Sequence, residues 1–133
     1  MIGMPQAKAQ TVIDGGATVT VPGTYPSPWN AGTILTVGDT GTGTLTIENG
    51  GTVSSNGGNI GNGTTGNGTV TVDGTGSTWT NAGNMTVGDF GTGTLIIENG
   101  GKVSNTDGLI GNNWGSTGKV TVDGAGSSWT YGG

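Results

Sequence analysis

Four carboxylates recur at one constant interval: Glu48, Asp73, Glu98 and Asp123. A chain that stacked those positions in neighbouring strands would hold the carboxylates about 4.8 Å apart. At that separation adjacent like charges repel by about 1 kcal/mol in water. A hard cation such as calcium relieves such a column, and two carboxylates at this range also suit retaining glycoside hydrolysis. Hydrolysis, however, needs one protonated and one ionised carboxyl in unlike surroundings, whereas a repeat gives every acid the same surroundings. The glycine-and-aspartate nonapeptide of calcium-binding β-helices is also absent from the sequence. These four acids are therefore candidates for a metal column, set against the plainer expectation that they splay at solvated corners and accept turn N–H groups. The remaining composition removes most other chemistry. Histidine, cysteine and arginine are absent, and the only lysines are Lys8, Lys102 and Lys119. The sequence predicts no catalytic residue, no cofactor and no enzyme activity.

The spacing is part of a longer repeat. Residues 35–83 and 85–133 are identical at 31 of 49 positions without a gap. A weaker echo at half that shift turns Gly43-Thr44-Leu45-Thr46-Ile47-Glu48 into Gly68-Thr69-Val70-Thr71-Val72-Asp73, and so on to Asp123. Alternating TLTI and TVTV stretches mark strands with one buried face. Asn-Gly, Asp-Gly and Gly-Gly pairs, including those at 56–58, 62–63 and 67–68, read as turns between them. No helical period occurs. A short period of strands and turns means a solenoid or a propeller, and two and a half propeller blades cannot close a ring. The expected fold is an all-β parallel β-helix of about five coils, about 25 residues per coil, with an N-terminal cap.

That fold explains a composition of 29% hydrophobic residues and 32 glycines in 133, which without pattern would read as disorder. The predicted core ladders are Leu45, Val70, Leu95 and Val120, then Ile47, Val72, Ile97 and Val122. Val53 and Val103 alternate with Trp79 and Trp129 in a third ladder, large against small. All four prolines precede Trp29, which assigns residues 1–28 to an export-signal remnant and a cap with an irregular first coil, and 29–133 to the repeat. Ala7-Lys8-Ala9 has the form of a signal-peptidase site, although that motif also arises easily by chance. At the other end the repeat stops at Tyr131-Gly132-Gly133 with no capping change, which predicts an open edge that stacks on another copy of the chain.

Outside the coil, Thr18 and Thr20, Thr44 and Thr46, Thr69 and Thr71, Thr94, and Thr121 form a Thr-x-Thr ladder, broken by Ile96 and Lys119. Such a flat array resembles the ice-binding surface of some antifreeze proteins, but threonine is also simply a good exposed strand residue. Trp29, Trp79 and Trp129 are candidates for a sugar platform, with inward packing the favoured reading for the last two, while Trp114 is the better candidate for an exposed contact. Gly61-x-Gly63-x-x-Gly66 matches a dinucleotide fingerprint in form only, since no helix follows it. A net charge of −5 argues against nucleic acid and anionic membrane surfaces as partners, and no apolar run reaches the length of a membrane span. The expected partners are a second copy of the chain, a surface glycan or ice.

The run LTVGDxGTGTLTIENGGTV followed by GTVTVDGxGSTW resembles the repeat shared by bacterial autotransporter (type V secretion) passenger domains and by some surface proteins of the PEP-CTERM sorting class. The resemblance covers roughly residues 29–133. It implies an exported, right-handed β-helix at the cell surface or outer-membrane exterior, commonly a stalk or an adhesive surface. The translocating barrel and sorting tail of such proteins do not occur in this sequence, so the resemblance casts the chain as a fragment or an isolated passenger.

Overall fold

The computed structural model describes residues 10–132; the proposed signal remnant Met1–Ala9 lies outside them, as does Pro5. The described chain winds through fifteen strands and no helix. The first coil holds β1 (Thr11–Ile13), β2 (Ala17–Val21) and β3 (Trp29–Asn30), and the second β4 (Ile34–Val37), β5 (Thr42–Ile47) and β6 (Thr52–Ser55). The third holds β7 (Gly57–Ile60), β8 (Asn67–Asp73) and β9 (Thr78–Asn81). The fourth and fifth run β10 (Met85–Val87), β11 (Thr92–Glu98), β12 (Lys102–Asn105), β13 (Gly108–Ile110), β14 (Thr117–Asp123) and β15 (Ser128–Tyr131). Every strand pairs in parallel with its copy one coil away, giving three five-stranded sheets. Sheet A stacks β1-β4-β7-β10-β13, sheet B stacks β2-β5-β8-β11-β14, and sheet C stacks β3-β6-β9-β12-β15. This is a three-walled parallel β-solenoid of five coils.

Sheet B carries the predicted ladders in register: Val19, Leu45, Val70, Leu95 and Val120 form one inward column, and Val21, Ile47, Val72, Ile97 and Val122 the next. Leu45, Ile47, Val70, Val72, Leu95 and Ile97 are fully buried; each contributes about 1.5–3 kcal/mol by leaving water. In the fifth coil the ladder keeps its register but loses cover. Val122 is 46% exposed and Val120 is only partly buried, because no sixth coil lies over them among the described residues. The expected core position at Val122 is thus corrected to an edge position.

Sheets A and C enclose the rest of the core, and there the coils alternate. One inward column of sheet C reads Trp29, Val53, Trp79, Val103, Trp129. One inward column of sheet A reads Thr11, Leu35, Gly58, Met85, Gly108. Where sheet C supplies Trp79 or Trp129, sheet A supplies glycine; where it supplies Val53 or Val103, sheet A supplies Leu35 or Met85. A Cβ at residue 58 would lie 2.8 Å from Trp79 Cζ2, and one at 108 would lie 2.7 Å from Trp129 Cζ2. Gly57-Gly58, expected as a turn, is therefore strand β7, with Gly58 bare because an indole fills its space. Asn67-Gly68 is likewise strand, since a Cβ at 68 would collide with the Val37 carbonyl oxygen.

Two of the inward indoles also reach back one coil for an acceptor. Trp79 Nε1–H donates to Ser55 Oγ at 3.1 Å, and Trp129 Nε1–H donates to Asn105 Oδ1. Trp29 stacks instead on Tyr25, with ring centroids 4.5 Å apart. Tyr25 lies in the connection 22–28, between β2 and β3, which also contains Pro22, Pro26 and Pro28. Residues 11–30 thus make the first coil, with Pro22, Pro26 and Pro28 in the connection that leads into its third strand.

Candidate binding faces of the solenoid

Strand alternation turns every second residue of sheet B outward. The expected threonine ladder occupies two of these outward columns in strict register. Thr18, Thr44, Thr69, Thr94 and Lys119 form one; Thr20, Thr46, Thr71, Ile96 and Thr121 form the other. A third column, Thr42, Asn67, Thr92 and Thr117, runs alongside them and was missed in the sequence. Its signal was present: each member lies two positions before a ladder residue and so shares its face. The outward face of sheet B is consequently three hydroxyl- and amide-bearing columns wide, with Ile96 and Lys119 as its two interruptions.

Carboxylates sit at both margins of sheet B and are held differently. At the B–C margin Glu98 pairs in register with Asp73 and Asp123, and Glu48 holds the equivalent place in the second coil. Two of the four are held by asparagine amides: Asn49 donates to Glu48 at 3.3 Å and Asn99 to Asp73 at 2.7 Å. Asn49 and Asn99 can aim there because each takes a left-handed backbone conformation, φ 53°, which asparagine tolerates better than other side chains. At the A–B margin acids alternate with amides. Asn62 donates to Asp39 at 2.8 Å, and Asn112 and Asn113 donate to Asp89 at 2.9 and 2.7 Å. Asp14 closes the lower end of this margin, accepting from the backbone N–H groups of Asp39, Thr40 and Gly41 and from the Thr40 hydroxyl. The Thr40 backbone N–H above all, with those of Gly41 and Gly15 and the Thr40 hydroxyl, outweighs desolvation and lowers the Asp14 pKa to about 2.

No family model, curated protein or solved structure matches this chain. What its faces can do follows from their geometry. Among the described residues no three acidic side chains converge to hold a metal ion. Trp79 is fully buried, Trp29 is 8% exposed and Trp129 packs partly against the core, so these three indoles form no outer sugar platform. Trp114 is fully exposed, at the A–B corner of the fifth coil, with Phe90 half-exposed at the same corner of the fourth. Gly61, Gly63 and Gly66 form a corner leading into β8 rather than a helix. No described helix is long and apolar enough to cross a membrane.

Proposed function

We propose that this chain is a structural and adhesive module of the cell exterior, a rigid rod whose sheet B face meets a repeating surface at many points at once. The observation that carries this reading is the register of sheet B: three outward columns repeat their threonine and asparagine groups at one coil spacing. Repetition at fixed spacing converts weak single contacts into strong combined ones. The resemblance of residues 29–133 to autotransporter passenger repeats supports the external location, and the acidic net charge of −5 supports an uncharged rather than an anionic target. Nothing in this role requires turnover. Retention on immobilised neutral polysaccharides tests it. Thr44→Lys and Thr69→Lys together should reduce retention by more than the sum of the single variants' effects, and equal retention of wild type and double variant would refute it.

A second reading, binding to ice, is favoured by the Thr-x-Thr-x-Thr rows of β5 and the matching Asn-x-Thr-x-Thr row of β8. Thermal hysteresis that Thr69→Lys abolishes would establish it, and freezing behaviour no different from an inert protein of equal size would dismiss it. Self-association belongs to the first reading. The outer edge of β13, β14 and β15 carries half-exposed Ile110 and Val122 and the exposed Tyr131, which invite a second copy. Light scattering that reports an unchanging monomer mass at high concentration would remove that element.

A further inference from the structure

The outward face of sheet A holds a notch that neither sheet B nor the acid columns use. Its volume is about 380 Å³ and its lining is Ile34, Gly57, Gly58, Asn59, Gly83, Asn84 and Thr86, which is within the lower range of small-molecule sites. The notch arises from uneven corners. Residues 31–33 and 82–84 connect sheet C to sheet A before β4 and β10, whereas Asn56 alone makes that connection before β7. The third coil is therefore recessed between two projecting corners. Gly57 deepens the recess. It sits in register with Ile34, and the atoms nearest a Cβ there would be the Asn84 carbonyl oxygen at 3.5 Å and, at 3.8 Å, Ile34 Cγ1 and the Thr33 carbonyl oxygen, all ordinary contacts. Its φ is not positive, so neither packing nor backbone demands glycine. In the second copy of the long repeat the corresponding residue is Asp107.

The polar groups of the notch are incompletely used by the protein. Asn84 Oδ1 accepts from the Thr106 hydroxyl at 2.9 Å, and Asn59 Nδ2 makes a long contact of 3.4 Å to Asn62. Among the described residues that leaves Asn84 Nδ2 as a donor, Asn59 Oδ1 as an acceptor and the Thr86 hydroxyl as either, beside the apolar Ile34 side chain. None of the lining residues is ionisable. We infer that this notch binds one unit of a neutral sugar, with ring hydroxyls on Asn59, Asn84 and Thr86 and a C–H face on Ile34. Paired donor and acceptor groups beside an apolar patch match vicinal hydroxyls on a hydrocarbon ring, and the absence of a cationic group gives an acidic sugar no counter-charge.

The test is a titration of ¹⁵N-labelled protein with glucose, galactose and N-acetylglucosamine, using sialic acid as the charged control. Saturable shifts should appear at the Asn59 and Asn84 side-chain amides with at least one neutral sugar and not with sialic acid. Gly57→Val, which fills the notch, should weaken that binding by at least about tenfold without lowering the melting temperature. Asn84→Ala provides a second variant should Gly57→Val disturb the strand. Thr44→Lys, on sheet B, should leave the titration unchanged, so loss of the sheet B reading and loss of this one are separable. Absence of saturable shifts with all three neutral sugars, or shifts that survive both Gly57→Val and Asn84→Ala, would overturn the inference.

Discussion

The wall formed by sheet B and the wedge between sheets A and C obey different rules. Along sheet B each coil repeats the last: Leu45, Val70, Leu95 and Val120 stack at one constant interval. Across the wedge, from the second coil on, adjacent coils differ and alternate ones agree. An indole and a glycine fill the third coil where a valine and a leucine fill the second. Two periods therefore coexist in one chain. The backbone ladder sets a period of one coil, and the size of tryptophan doubles it, because two neighbouring indoles in a narrow core would overfill it.

The largest effects should come from breaking the alternation. Trp79→Val removes a fully buried indole and should cost about 3–5 kcal/mol. Gly58→Leu drives a side chain into that indole and should cost about 1–3 kcal/mol. Combined, the two changes give the third coil the filling of the second. The double variant should recover at least about 1 kcal/mol relative to the sum, as read by denaturant unfolding in a double-mutant cycle. Additive losses would mean that the two residues do not share one space.

Position along the rod should matter next. Val72 and Val122 occupy one column, yet the first is fully buried and the second 46% exposed. Val72→Ala should cost about 1.5 kcal/mol from lost apolar burial, and Val122→Ala less than half of that. Equal losses would show that a further layer covers the fifth coil in solution.

A pH dependence follows from Asp14. Its folded-state pKa, about 2, lies below its ordinary value of 3.8. Ionised Asp14 therefore contributes stability in full above about pH 4, and that contribution falls away as the pH drops towards 2. Asp14→Asn should lower the melting temperature at neutral pH and flatten its fall between pH 4 and 2; an unchanged acid profile would show that the bonds to Thr40 and Gly41 do not persist. The smallest stability effect belongs to the outer face. Thr69→Lys should shift unfolding by no more than about 0.5 kcal/mol, because its side chain stands outside the core.

How much of this was legible depended on which period a residue followed. Sheet B was readable because its columns keep the coil spacing, so one constant shift aligns both Thr69 with Thr94 and Ile97 with Val122. Sheet A was not. Its column Val37, Ile60, Val87, Ile110 recurs at unequal intervals, short from Val37 to Ile60, longer from Ile60 to Val87 and short again to Ile110, since the A–B corners are alternately short and long. A single shift scatters it. Glycine misled for a related reason. Asn-Gly and Gly-Gly pairs suggest turns, and Asn49-Gly50 is one. Gly58 and Gly68 instead lie within strands, where the need is for empty space beside an indole or a carbonyl. That need is set by residues in another wall or another coil, which local sequence does not display. The third outward column was visible in principle, because parity alone puts Thr42 on the face of Thr44.

The central claim is parallel stacking in one fixed register, and a disulfide reports it most directly. The chain has no cysteine, and Thr69 and Thr94 are Cα partners on adjacent coils. At about 4.8 Å they lie within the span a disulfide bridges. The variant Thr69→Cys with Thr94→Cys should oxidise to an intramolecular bridge with the fold retained, while Thr69→Cys with Leu95→Cys, one position out of register and on opposite faces, should not. Failure of the first pair to close, or closure of both at the same rate, would contradict the solenoid.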